Sequence, residues 1–306
     1  MSQTSLDALQ SDAIDAEYDP SRRVFSRQPY MDWYVRESVR TRENLGGRLD
    51  VPFGLTPAET LDIFPSAKPH SPVLMFIHGG YWRALSSKEF SYVAGGLVPH
   101  DITVVVMNYA LCPEVSIPAI TAQSRAAVAW LTRNAQHYCG NPSHIVVAGH
   151  SAGGQQVGML LSDDRSPGSE PAGAVLKGGI AISGLFDLRP LQQSWLQPTL
   201  RLTDQVSAEQ SPLLHIPSKA APLLLSVGGD ETDAFKSQSQ RYLVAWKYAG
   251  LDGGYFAQPG LNHYESVYGF ADPTSPLSTA AVDFIKRCAG ATPTPEGCNR
   301  TVPVHS

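Results

Sequence analysis

Gly149-His150-Ser151-Ala152-Gly153 sets a serine between two glycines, after the apolar run Ile145–Ala148 and before a helix-like stretch. It fits G-x-S-x-G, and strand–turn–helix is the setting in which that pattern makes a nucleophile elbow. A serine on so sharp a turn is held in a strained backbone conformation. Its neighbours are glycines because side chains there would strike the adjoining strand and helix. The hydroxyl stands at a helix N-terminus, where amide N–H groups and the dipole favour developing negative charge. The chemistry on offer is attack on a carbonyl carbon. A glycine-rich turn with a helix-capping serine would share the pattern, but the flanking elements favour the nucleophile.

Such an attack needs a base, an acid to orient the base, and donors for the oxyanion. Downstream of Ser151 lie only His215, His263 and His305. His305 is in the terminal tail and His215 lies just upstream of a strand-like run. His263 sits between the strand-like "GGYFAQ" and the last helical pattern, where the base belongs. The stretch "LLLSVGGDETDAF" offers Asp230, Glu231 and Asp233 as the acid, and Asp230 is the conventional residue type. One oxyanion donor is the N–H of the residue after the serine, Ala152. Others come from "FIHGGYW", where Gly79-Gly80 can turn consecutive N–H groups toward one point because glycine accepts φ > 0. Gly80, helped by Tyr81, is expected to complete the hole. His78 is expected to anchor the loop rather than move protons. Trp82 either walls the pocket or fills core.

These residues need a scaffold. Val73–Ile77, Ile102–Met107, Ile145–Ala148, Gly179–Ser183 and Pro222–Val227 are short, continuous apolar runs of the kind buried on both faces of a mostly parallel sheet. Residues 119–138, 236–249 and 277–289 have helical spacing, and Tyr30–Arg40 could form a capping helix. Alternating strands and helices predict an α/β sandwich with right-handed crossovers. Residues 1–20 and 291–306 are expected to be flexible, flanking one domain over 21–290. At 306 residues, 42% hydrophobic and 17% charged, the chain has an ample interior. A net charge of -5 gives no footprint for nucleic acid and no membrane patch. With no leader-like or membrane-spanning run, a cytoplasmic location is expected, with the four cysteines as free thiols. No ligand cluster suggests a metal, and no cofactor is expected. A homodimer stays open.

The loop His78-Gly79-Gly80-Tyr81-Trp82 resembles that of kynurenine formamidases (arylformamidases) within the α/β-hydrolase superfamily. Leu49–Gly54, "GHSAGG", Ser183–Leu191 and "HYE" at His263–Glu265 are similar as well. The resemblance covers roughly residues 20–290. In that family the triad acid is followed four places later by Phe and then by Gln-Ser. Phe235 and Gln238-Ser239 fit that frame, which implies Glu231 as the acid where the family has Asp. The implied reaction is hydrolysis of N-formyl-L-kynurenine to kynurenine and formate, with a small aromatic amide or ester as ligand. Trp82, Tyr109, Phe186 and Trp195 could supply the aromatic pocket. A carboxylesterase or amidase for other aryl or short-chain acyl substrates would use the same triad, and substrate profiling separates the two. A non-enzymatic binding protein on this fold would typically lack a triad member, whereas all three roles can be filled here.

Overall fold

The apolar runs alternate their side chains between two cores. Val73, Met75 and Ile77 face one, and Leu74 and Phe76 the other; Ile145 and Val147 oppose Val146 and Ala148 in the same way. In the computed structural model, which describes residues 3–162 and 175–288, these runs are central strands of an eight-stranded sheet. The strands are β1 (Arg48–Pro52), β2 (Thr60–Phe64), β3 (Ser71–Ile77), β4 (Thr103–Met107), β5 (Gly140–His150), β6 (Leu176–Ile182), β7 (Leu223–Gly228) and β8 (Gly253–Gln258). Their order is β1-β2-β4-β3-β5-β6-β7-β8. Pairing is antiparallel at β1–β2 and β2–β4 and parallel elsewhere.

The helices are α1 (Gln3–Tyr18), α2 (Gln28–Leu45), α3 (Val93–Leu97), α4 (Ile117–Asn134), α5 (Ala152–Leu161), α6 (Gln197–Leu200), α7 (Asp204–Glu209), α8 (Asp233–Tyr248) and α9 (Pro276–Arg287). Helices α4, α5 and α8 pack on one face with Leu131, Leu160 and Trp246. Helices α2, α3 and α9 cover the other with Tyr34, Leu97 and Phe284. The sheet is thus buried on both sides, as its near-continuous apolar strands require.

Two elements depart from the sequence-based expectation. Strand β2 contains Asp62, which is fully buried and interrupts the apolar run. Its carboxylate is satisfied by Lys88 Nζ at 2.6 Å, Ser87 Oγ at 2.8 Å and the Asp50 N–H at 2.9 Å. A buried charge with a full set of partners is tolerated.

Residues 1–20 were expected to be flexible, yet Gln3–Tyr18 is helix α1. Its end docks through Ile14 and Tyr18 on the core and through long-range polar contacts, too few apolar positions for its composition to read as other than loose. Thr232 Oγ1 donates to the Glu17 carbonyl at 2.6 Å, the Ala234 N–H to Glu17 Oε2 at 2.8 Å, and Gln238 Nε2 to the Tyr18 hydroxyl at 2.9 Å. Tyr18 is itself buried in the core. The expected tail over 291–306 lies outside the described residues. Cys112 and Cys288 are free thiols, whereas Cys139 is disulfide-bonded, contrary to the expectation of four free thiols.

Candidate active site

Strand β5 ends at His150, and Ser151 turns the chain into α5 with φ 56° and ψ -117°. Few non-glycine residues hold such a conformation, and those that do cluster at functional sites. The Ser151 N–H donates to the Ile182 carbonyl at 2.9 Å, which fixes the turn against β6. The flanking glycines have steric reasons. A Cβ on Gly149 would lie 2.3 Å from the Gly153 carbonyl oxygen, and one on Gly153 only 1.9 Å from the Ile77 oxygen. The first turn of α5 can therefore press against the end of β3.

His263 lies in the loop after β8 and is 7% exposed. Its Nδ1 is 2.7 Å from Glu231 Oε2. The other Glu231 oxygen accepts the Gly228 N–H at 2.8 Å and the Ser183 hydroxyl. The Ser266 hydroxyl stands 3.0 Å both from Ser183 Oγ and from the His263 carbonyl it donates to. Glu231 thus holds the ring of His263 directly, while Ser183 fixes Glu231 and Ser266 fixes the His263 backbone. Asp230 points to solvent and makes no hydrogen bond to His263 among the described residues. Sequence reasoning left Ser183 and Ser266 without a role. Ser183 opens the "SGLFDL" stretch, and its φ of 53° marks a second strained turn, at the end of β6.

The loop after β3 has positive φ at three consecutive residues: Gly80 (111°), Tyr81 (52°) and Trp82 (56°). The Gly80 carbonyl turns away and accepts the N–H groups of Arg83 and Ala84, both at 3.1 Å. A Cβ on Gly80 would sit 2.1 Å from the Ala84 oxygen, so only glycine fits. The N–H groups of Gly80 and Tyr81 have no acceptor among the described residues. That of Ala152 opens α5 and has none within the helix.

His78 lies beneath this loop, fully buried, with its ring 4.0 Å from that of Tyr109 and nearly parallel to it. Its Nδ1–H donates to the Gly79 carbonyl at 2.7 Å, and the Tyr109 hydroxyl donates to the His78 carbonyl at 2.9 Å. Burial lowers its pKa from 6.5 to about 4. His150 is also buried, with its Nε2 2.9 Å from the His263 carbonyl oxygen. Burial, then the neighbouring His263, pushes its pKa well down.

Both rings are neutral in the folded protein and free to protonate when it unfolds. The unfolded chain therefore binds more protons below the ordinary histidine range, and stability falls as pH drops. For His78 the loss develops between pH 6.5 and about 4. Integrated over that window it is on the order of 3 kcal/mol. Urea unfolding at pH 7 and pH 5 should show lower stability at pH 5. Equal midpoints and slopes would contradict neutral burial.

Ser151, His150 and His263 line the buried end of one cavity of about 410 Å³, with Gly79, Gly80 and Tyr81 beside them. Trp195 lines it too and is 37% exposed. The other three expected pocket aromatics do not line it. Trp82 is fully buried with its Nε1 on Gln155, Tyr109 is stacked under His78, and Phe186 lies 4.2 Å from the Tyr242 ring. They support the loops from below. Met31, Tyr34, Leu85, Phe90 and Tyr264 supply the walls instead, three of them from the N-terminal α2 and the loop after His263. The exposed Arg27 and Arg83 and the half-buried Asp19 line its outer end. Among the described residues no group of three or more His, Cys, Asp and Glu could hold a metal ion, and no helix is long and apolar enough to cross a membrane.

Comparison with known proteins agrees with this architecture. The family described as BD-FAE matches residues 61–165, a span that holds both the His78–Trp82 loop and the Ser151 turn. A kynurenine formamidase of Danio rerio is 27% identical over 280 residues, covering 87% of this chain and 93% of its own. Esterase LipQ of Mycobacterium tuberculosis is 26% identical over 236 residues, covering 70% of this chain and 56% of its own. The crystal structure of a putative thioesterase from Silicibacter sp. superposes with a TM-score of 0.77 at 27% identity, covering 87% of this chain and 97% of that one. The chain has the α/β-hydrolase fold and is similar along most of its length to kynurenine formamidase and over a shorter span to bacterial esterases.

Proposed function

We propose that the chain hydrolyses an aryl formamide, N-formyl-L-kynurenine, to kynurenine and formate through Ser151, His263 and Glu231. The observation that supports it most is the 2.7 Å bond from buried Glu231 to His263, which lines the same cavity as Ser151 on its strained turn. In the first half of the cycle His263 Nε2 takes the Ser151 proton as Oγ attacks the formyl carbon. The N–H groups of Gly80, Tyr81 and Ala152 take up the oxyanion. The C–N bond breaks, His263 returns the proton to the aniline nitrogen, and kynurenine leaves a formyl-serine. Water, deprotonated by His263, then attacks the ester. Formate departs and the proton returns to Ser151. Glu231 holds the imidazole in the required tautomer and balances its transient positive charge. The relatives' names supply the substrate class.

Tyr81 narrows the acyl side of the site. Its hydroxyl donates to the Tyr18 carbonyl, which pins the ring beside the oxyanion donors. A formyl carbon bears only hydrogen and needs no space there, whereas an acyl chain must push against the pinned ring. We therefore expect kcat/KM for formyl anilides to exceed that for acetyl anilides with the same leaving group by about tenfold or more. Activated esters should be accepted up to acetyl and fall off with longer chains. If butyryl or hexanoyl esters are the best substrates and formyl anilides are inert, the carboxylesterase reading replaces this one, in line with the esterase relatives.

A further inference from the structure

Two guanidinium groups stand at the exposed end of the catalytic cavity without a carboxylate partner among the described residues. Arg27 precedes α2 and its side chain meets no hydrogen-bond or ionic partner among the described residues. Arg83 follows the oxyanion loop and lies over the Trp195 ring, 4.9 Å from its centroid. Stacking holds the guanidinium flat and leaves its N–H edge free for a planar anion. The third charge at this end is Asp19. Its Oδ1 accepts the Ser21 N–H at 3.0 Å and the Ser21 hydroxyl at 2.6 Å, which fixes the carboxylate. Its Oδ2 has only the Arg22 Nε, at 3.9 Å. Asp19 and Arg27 act with opposite sign on the Tyr264 phenol in the cavity wall, whose pKa burial, the larger cause, pushes up to about 12.

The chain carries a net charge of -5, yet this end of the cavity presents two cations and one anion. That pattern complements neither a neutral ester nor an alkyl chain. It complements a group bearing a carboxylate and an ammonium on one carbon, at the end of the substrate away from the scissile bond. We propose that Arg27 and Arg83 bind the carboxylate and Asp19 the ammonium of an α-amino-acid head, so that the cavity selects aryl formamides carrying one. This assignment rests on the aryl formamidase reading above. All three residues act on substrate position and none touches the reacting carbonyl.

The test separates binding from chemistry. In Ser151→Ala, calorimetric titration should find kynurenine bound at least about tenfold more tightly than ortho-aminoacetophenone, which keeps the aryl ketone and lacks the amino-acid head. Adding Arg27→Gln and Arg83→Gln should bring the two affinities together. Asp19→Asn should weaken kynurenine but not its deamino analogue. In otherwise wild-type enzyme, the two arginine changes should lower the ratio of kcat/KM for N-formylkynurenine over formanilide by a similar factor. Equal affinities in Ser151→Ala, or a kynurenine preference that survives the double arginine change, would overturn the proposal. An enzyme that hydrolyses formanilide without preferring N-formylkynurenine would overturn it while leaving aryl formamide hydrolysis intact. A protein that binds kynurenine through these residues but cleaves no formamide would overturn the hydrolytic reading and leave the clamp.

Discussion

Ser151→Ala should lower kcat by about 10⁴-fold or more while the protein melts at nearly the wild-type temperature. The attacking atom disappears, and little else changes. Ser151 Oγ makes no hydrogen bond among the described residues, and the Ser151 N–H bond to Ile182 needs no side chain. Alanine must still occupy φ 56°, which serine already tolerates. Single-turnover and steady-state assays on the same preparation give the value, and a variant keeping a tenth of the activity would end the serine mechanism.

Glu231→Gln should cost on the order of 10³-fold in kcat, for a reason specific to the donors around Glu231. Two donors, the Gly228 N–H and the Ser183 hydroxyl, face one Glu231 oxygen. They will claim the single carbonyl oxygen of a glutamine. Its NH₂ is then turned toward His263 Nδ1, which must become an acceptor. The imidazole is forced to protonate Nε2 and can no longer take the serine proton. Asp230→Asn should stay close to wild type, because that carboxylate is exposed and apart from the ring. The reverse order of the two variants would move the acid to Asp230. The double variant Ser151→Ala/Glu231→Gln should be little worse than Ser151→Ala alone, since the residues act as one unit.

Most of what positions these residues is legible in the amino-acid sequence. The strands β3 to β7 announce themselves because their central residues are buried on both faces and apolar, whereas β8, at the sheet edge, is half-exposed. Ser151 and His263 are legible because glycine spacing and chain order constrain them. Glu231 was not separable from Asp230 by residue type. The frame of Phe235 and Gln238-Ser239 pointed to Glu231, and of the two adjacent carboxylates it is Glu231 that turns inward to His263 while Asp230 faces outward. The pocket aromatics failed for a related reason. Trp82, Tyr109 and Phe186 lie close in sequence to catalytic loops, but the positive φ at Gly80, Tyr81 and Trp82 sends Tyr81 into the cavity and Trp82 into the core. Helix α1 was illegible because what docks its end, the burial of Ile14 and Tyr18 and the polar bonds of Glu17 and Tyr18, is distant in sequence, which no local pattern records.

That docking has a consequence for the order in which the molecule is assembled. Glu17 meets Thr232 and Ala234 across 215 and 217 residues, and Tyr18 meets Gln238 across 220. At roughly 5–20 residues per second, the N-terminal segment leaves the ribosome roughly 10–40 s before its partners exist. Contacts of such separation carry the largest loop-closure cost and form late. The strands that bear Ser151 can pair while α1 is still undocked. Tyr81 is then unpinned, and Asp19 and Arg27 are not yet held over the cavity. His263 emerges later still than Thr232, Ala234 and Gln238, so a nascent chain has no base for Ser151. A full-length chain in which α1 is still undocked has its reactive groups without the wall that selects what reaches them, and should be a less discriminating hydrolase than the finished one.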